Sequence, residues 1–236
     1  MKRSTLETLL ASLAAGRAAV LTTDLRSGEQ RLFEPLDDTP PENFPADRWA
    51  EAVRAVRDDR SRLSDDPGQQ IFLNVFNPPA RLVVVGAVHV AQPLVRMAAL
   101  AGLAVTVIDP RGAWGSEARF ADVEVLSAWP DEALADLGVD HRTAVVTLTH
   151  DAKLDDPALV AALRSDAFYV GALGSRRTHA KRVARLEEAG FTAEEIARIH
   201  APIGLPIGAR TPAEIAVAIL AEVIQRLRTE PPTTEP

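Results

Sequence analysis

The sequence predicts an α/β protein, a doubly wound parallel sheet preceded by a small α+β region. Two observations carry this expectation. From Arg81 onward, short apolar runs alternate with stretches of helical periodicity, and the runs end in glycine or polar residues. The chain also changes character at Pro78-Pro79, before which hairpin and turn signals dominate.

In residues 1–78, Leu6, Leu9, Leu10 and Leu13 fit one apolar helix face that stops near Gly16. Residues 18–23 and 31–33 flank Arg26-Ser27-Gly28, the pattern of a hairpin. Pro40, Pro41 and Pro45 mark a loop that leads to a helix over 48–57, and 70–76 is a strand ended by the two prolines. Charge clusters such as Arg57-Asp58-Asp59-Arg60 read as solvated faces, and the region offers no evident chemistry.

Beyond it, residues 82–85 form a continuous apolar run ending in Gly86, followed by a helix over 91–100 closed by Gly102 and a strand over 104–108. Further strands are expected at 123–125, 144–148 and 169–170, and helices at 131–137, 157–163 and 178–189. This βαβ alternation predicts a Rossmann-like sheet with right-handed crossovers. Thr211-Pro212-Ala213-Glu214 combines a capping box with proline at the first helical position, and Ile215, Ile219, Leu220, Val223 and Leu227 give that last helix its core stripe. The expected organisation is a small region over 1–78, a Rossmann-like domain over 79–228 and a disordered tail over 229–236.

Composition narrows the function. With 236 residues, 47% hydrophobic and 25% charged, the chain is an ordinary globular one. A net charge of −7 argues against nucleic acid and anionic membranes as partners. The apolar runs, such as 216–221, are too short to span a bilayer. An acid at Glu7 precedes any long apolar stretch, so no signal peptide is expected and the location expected is cytoplasmic. The absence of cysteine excludes disulfides and thiolate-bound zinc or iron–sulfur clusters, and means these residues cannot carry a persulfide.

The most informative stretch is Phe168-Tyr169-Val170-Gly171-Ala172-Leu173-Gly174-Ser175-Arg176-Arg177-Thr178. A buried strand opens into a loop containing Gly171 and Gly174, and Thr178 can start a helix. Glycines let backbone N–H groups approach an anion, a helix N-terminus adds its dipole, and Arg176 and Arg177 supply planar forks for phosphate oxygens. The alternative is a tight turn with two solvated arginines. Where the first strand meets its helix, Gly86-Ala87-Val88-His89-Val90-Ala91 puts Gly, Val and Ala at the three small-residue places of the dinucleotide fingerprint. Val88 stands where glycine normally lets a pyrophosphate approach, while Asp109, ending the second strand, is placed to accept a ribose hydroxyl.

The loop over 204–210, with Gly204 and Gly208, is either a second cradle or a glycine turn into the last helix. His89 and His150 fall at C-terminal strand ends, where they either line the site or serve structure. His150-Asp151 with Asp155-Asp156 offers hard-metal ligands, and His200 invites a similar assignment. Yet Asp156 precedes Pro157 as a helix N-cap would, so no metal site is assigned. His141 begins a strand and His179 lies on an exposed helix, so neither is a candidate. No nucleophile–base–oxyanion set can be assembled, and no catalytic residue is named.

Six stretches in order carry a family resemblance: 86–91, Thr147-Leu148-Thr149-His150-Asp151, 154–159, 170–178, Arg198-Ile199-His200-Ala201-Pro202-Ile203-Gly204 running on to 209, and 211–216. Over 72–224 the chain resembles the XdhC/CoxF (CoxI) proteins, accessory factors of molybdenum hydroxylases such as xanthine dehydrogenase and carbon monoxide dehydrogenase. The resemblance implies a Rossmann domain and a role in binding molybdenum cofactor, protecting it while its sulfur ligand is installed, and delivering it to the apoenzyme. The cargo implied is molybdopterin or molybdopterin cytosine dinucleotide, bound through residues 86, 87, 89, 109, 150, 151, 171, 174–177, 204 and 208. The sequence departs from the family at Val88, where the family has glycine, and lacks its cysteine-containing N-terminal stretch.

Three functions follow. The first is a cofactor insertion chaperone. Its expected partners are the target hydroxylase, a cysteine-bearing sulfur donor such as a cysteine desulfurase, a separately encoded protein supplying the missing N-terminal segment, and further copies of this chain. The second is an NAD(P)-dependent oxidoreductase, disfavoured by Val88. The third is a non-catalytic partner within such a maturation complex.

Overall fold

The computed structural model describes residues 1–36, 38–41, 44–65, 68, 70–112, 120 and 123–229. The chain divides into two compact units, residues 1–78 and a second beginning at Pro79.

The first unit contains α1 (Arg3–Ala14), β1 (Ala19–Asp24), β2 (Gln30–Phe33), α2 (Ala46–Arg57), β3 (Arg62–Leu63) and β4 (Ile71–Phe76). Its strands form an antiparallel sheet in the order β2-β1-β4-β3. The β1–β2 turn is held by Asp24, whose Oδ1 accepts the N–H groups of Arg26 and Ser27. Val20 and Leu73 on one sheet face pack against Ala52, Ala55 and Val56 of α2. The expected apolar face of α1 is narrower than the leucine spacing implied: Leu9 is buried, while Leu6 and Leu10 are exposed. A cavity lies against this sheet face, lined by Thr22, Arg31, Arg48, Glu51 and Leu73 among others. Its buried acid, Glu51, accepts hydrogen bonds from the Ser64 hydroxyl and the Asp65 N–H, both at 2.7 Å.

The second unit runs β5 (Arg81–Val85), α3 (Ala91–Leu100), β6 (Ala104–Ile108), β7 (Glu124–Leu126), α4 (Pro130–Leu137), β8 (Thr143–Thr147), α5 (Ala152–Leu163) and β9 (Tyr169–Ala172). It continues through α6 (Arg176–Glu188), α7 (Ala193–Ile196), β10 (Ile199–His200) and α8 (Pro212–Arg228). Six parallel strands lie in the order β10-β9-β8-β5-β6-β7. The chain adds β6 and β7 on one side of β5, then returns to add β8 on the other. Strand order therefore reverses between β5 and β8, and ligands bind at such a switch point in open parallel sheets.

Both sheet faces are covered. Leu82 and Val84 point into a core closed by Leu94 and Val95 of α3 and by Ile219 and Val223 of α8. Val83 and Val85 point the other way, against Leu134, Leu159 and Leu186. Being buried on both faces is why these strands are continuous apolar runs. No helix among the described residues is long and apolar enough to cross a membrane.

Two helix starts differ from expectation. Asp151, not Asp156, caps α5 by accepting the Lys153 N–H, so the helix begins at Ala152 with Pro157 inside it. The Thr149 hydroxyl accepts the Asp151 N–H and fixes this earlier start. Ser175, not Thr178, caps α6 by accepting the Thr178 N–H at 3.2 Å, which places Arg176 and Arg177 in the first helical turn. Thr211 and Glu214 form the expected capping box on α8. Of the expected tail, residues 230–236 lie outside the described residues.

Leu94 is fully buried between helix and sheet, whereas Leu100 at the end of the same helix is 89% exposed. Leu94→Ala is expected to cost about 2–5 kcal/mol of stability and Leu100→Ala about 0.5 kcal/mol or less, a contrast that urea melts of the two variants check directly.

Candidate functional site

The loops at the C-terminal ends of β5, β6, β8 and β9 build the site. After β5 the chain turns at Gly86, with φ +110° and its N–H donated to the Ile108 carbonyl at 2.8 Å. A Cβ at Gly86 would lie 2.5 Å from the Thr149 methyl, so only glycine lets the β5 and β8 loops approach this closely. Ala87 is buried, and its N–H is donated to Asp109 at 2.8 Å. Val88 packs partly buried against the α3–α8 core, and His89 is exposed beside it.

Asp109 does not wait for a ribose. Its buried carboxylate accepts from Ala87 N–H and Arg111 N–H, and the Arg111 Nε and Nη2 groups grip both its oxygens at 2.9 and 2.8 Å. Burial alone would raise the Asp109 pKa, but the hydrogen bonds from Arg111 and Ala87 outweigh it and hold the carboxyl below its ordinary range. A ribose hydroxyl would have to displace Arg111, a residue the motif reading passed over. Arg111 is also drawn toward Asp151 and Asp155, which raises its pKa after the larger effect of its bond to Asp109.

Beyond β8, His150 is exposed and adopts φ +62°, an uncommon left-handed conformation for a residue with a Cβ. The acids weighed with it as metal ligands are engaged separately. Asp151 caps α5, Asp155 accepts from the Thr149 hydroxyl at 2.6 Å, and Asp156 pairs with Arg185, whose Nη2 lies at 2.9 Å.

The β9 loop carries most of the cationic chemistry. Gly174 takes φ +142° and leads to Ser175 at the head of α6. No acid lies in the first turn of this 13-residue helix. Arg176 and Arg177 are exposed, and among the described residues no hydrogen bond or ion pair engages either guanidinium. Gly171 has a different role from the one expected: a Cβ there would meet Ile203 at 2.5 Å and Tyr169 at 2.7 Å, so it is a buried packing glycine.

The loop over 204–210, either a second cradle or a glycine turn on its sequence, uses most of its N–H groups internally. Gly204 N–H is donated to Glu222 at 2.7 Å, and a Cβ at Gly204 would press on the α8 backbone at 3.0 Å. The N–H groups of Arg210 and Thr211 go to Glu214. Gly208, with φ +78°, faces open space in the same turn.

Glu222 is a residue the helical stripe of α8 concealed. It accepts the Tyr169 hydroxyl at 2.6 Å and lies 2.8 Å from His200 Nδ1, while the Tyr169 and His200 rings stack at 4.6 Å. This joins β9, β10 and α8 and accounts for His200 structurally. Burial opposes ionisation of Glu222, but the bonds from Tyr169, Gly204 and His200 prevail and lower its pKa. Nor is His179 exposed as expected: it is half-buried, and desolvation followed by repulsion from Arg182 lowers its pKa.

Because the Asp109 and Glu222 pKa values are lowered on folding, the stability each contributes is complete above the unfolded value, about 4, and is lost as pH falls through the folded one. Urea melts between pH 7 and pH 3 are expected to show this loss. Glu222→Gln, less stable at pH 7, should have the shallower acid limb, and an acid limb as steep as that of the unaltered protein would remove Glu222 from this role.

The profile of the XdhC Rossmann domain matches residues 82–223, more than half of the chain. The molybdenum cofactor insertion chaperone PaoD of Escherichia coli is 35% identical over 148 residues, 63% of this chain and 40% of PaoD. A probable xanthine dehydrogenase subunit of Bacillus subtilis is 31% identical over 161 residues, 68% of this chain and 47% of that protein. This chain thus spans less than half the length of either relative. The crystal structure of a xanthine dehydrogenase from Bacillus halodurans (BH1974) superposes with a TM-score of 0.70 at 23% identity, covering 99% of this chain and 67% of that one. The fold likeness therefore takes in residues 1–78. On the match across β5 to α8, with a six-stranded parallel sheet that reverses at β5 and β8, the chain belongs to the XdhC Rossmann-domain family.

Proposed function

We propose that this chain binds molybdenum cofactor by its phosphate and delivers it to a molybdenum hydroxylase of the xanthine dehydrogenase or carbon monoxide dehydrogenase type. One observation carries the reading. In a relative of a named cofactor insertion chaperone, two arginines with no ion pair among the described residues sit at the N-terminus of α6, beside the Gly174 turn. Molybdopterin bears a phosphate, and its cytosine dinucleotide form a pyrophosphate. Backbone N–H groups, helix dipole and guanidinium forks are the groups that recognise either. Delivery needs such a holding site and a docking surface, but no turnover.

The state of Asp109 supports a pterin over a nicotinamide cofactor. NAD-type ligands place a ribose hydroxyl on the acid that ends the second strand, and here Arg111 and Ala87 already occupy both oxygens of that acid. These 236 residues contain no cysteine, so in this proposal they hold the cofactor and the persulfide sulfur comes from a separate group. A cysteine-bearing donor such as a cysteine desulfurase is the partner this requires, and the cytoplasm is the compartment where both would act. Self-association is part of the proposal.

The test is titration of the protein with molybdopterin. Arg176→Ala/Arg177→Ala is expected to weaken binding by about ten- to hundredfold, the loss of a charge-assisted contact worth about 1.5–3 kcal/mol. Unchanged affinity in a folded double variant would remove the cradle.

Val88→Gly distinguishes the two cargo forms. It should strengthen binding of the cytosine dinucleotide more than of molybdopterin, with a small loss of stability because Val88 contributes to the core. Equal effects on both would mean that the β5 loop does not touch the pyrophosphate.

A further inference from the structure

A chain of polar groups runs beneath the ligand-facing loops of the second unit. It starts where Gly86 lies against Thr149. The Thr149 hydroxyl donates to Asp155 Oδ1 at 2.6 Å, and Asp155 Oδ2 faces Arg182 Nη2 at 3.5 Å. The same Nη2 donates to the Leu173 carbonyl at 3.2 Å, one residue before the Gly174 turn. The chain therefore passes from the β5 loop, through the β8 loop and α5, to the loop that carries the cradle.

Fold stability does not account for this arrangement. Asp155 is 1% exposed and Arg182 2%. Among the described residues, Arg182 Nε and Nη1 are buried without hydrogen-bond partners, as is the hydroxyl of Thr147, which pairs in register with Ala172. Burying both charges costs as much as their attraction returns, and at 3.5 Å the bond between them is at the limit of a hydrogen bond. Each unmet N–H adds to the cost. Leu186, one turn further along α6, and Val183 beside Arg182 both pack into an apolar core, so this helix face has no general need of a charge.

We propose that Arg182 is a positioning residue for the anion cradle, holding the Leu173–Gly174 backbone by its carbonyl and tying it, through Asp155 and Thr149, to the Gly86 loop at a fixed spacing. The ligand class this favours is one that touches both loops, a nucleoside diphosphate moiety rather than an isolated phosphate. The inference rests on the cradle proposed above.

Cytidine 5′-diphosphate and inorganic phosphate are the probes, titrated calorimetrically against the whole chain. The variant is Asp155→Asn/Arg182→Met, which removes both charges together and leaves no lone buried ion. It is expected to melt no lower than the unaltered protein, yet to bind the diphosphate about tenfold or more weakly, with a smaller loss for phosphate. Arg182→Lys, which keeps a donor near Leu173, should recover part of that affinity. Undiminished diphosphate binding in the double variant overturns the inference and leaves the cradle standing. An equal loss for both probes also overturns it, because a merely structural role would weaken both alike. No binding of either probe by the unaltered protein overturns the cradle and the inference with it. If the double variant does not fold, Thr149→Val decides: it cuts the link to Asp155, along with the bond from the Asp151 N–H, and touches neither charge. A selective loss of diphosphate affinity supports the inference, and full retention contradicts it.

Discussion

The close approach of Gly86 to Thr149 is the constraint on which the ligand-facing edge depends. β5 and β8 are adjacent strands whose connections leave in opposite directions, so their loops diverge unless something draws them together. Here the absence of a side chain at Gly86 leaves room for that approach. With Thr149 held against that turn, its hydroxyl reaches Asp151 and Asp155 and sets where α5 begins. Asp155 in turn faces the buried Arg182 of α6, and α6 presents the two arginines. The cradle's position is thus inherited from a contact two strands away.

The charged groups of the edge divide into those held by close partners and those that are not. Asp109 is closed by Arg111, Asp156 by Arg185, and Glu222 by Tyr169 and His200. Arg176 and Arg177 stand outside these pairs in a chain of net charge −7. The proposed anion site rests on this pair of arginines at a helix N-terminus, where no acid in the first turn offsets the helix dipole.

Much of this fold was legible in the residues. The apolar run before Gly86 and the capping box at Thr211 are local signals, and the structure contains the elements they announce. What failed were signals with a local competitor or a distant partner. Asp156-Pro157 looks like a helix start, yet Thr149 and Asp151 offer a better one five residues earlier. Ser175 and Thr178 are both credible caps, and only the observed turn chooses between them. The two-residue strands β3 and β10 are too short to show any period.

At the site, glycine was the least reliable guide. Gly86 and Gly174 serve turns that face the ligand side, whereas Gly171 and Gly204 are glycines because Ile203 and α8 press on them. Nothing in the local sequence separates those cases. Glu222 and Arg182 were hidden for a related reason: each lies within a helix whose local pattern marks no site, and its partners lie tens of residues away.

The identity of the cargo separates a cofactor chaperone from a nicotinamide-dependent enzyme. The most direct measurement is to isolate the protein from cells that synthesise molybdenum cofactor, oxidise it, and quantify the released pterin by fluorescence beside the released nicotinamide nucleotide. Pterin is expected to co-purify with the chain, with no corresponding NAD(P). A bound nicotinamide nucleotide in the absence of pterin would contradict it.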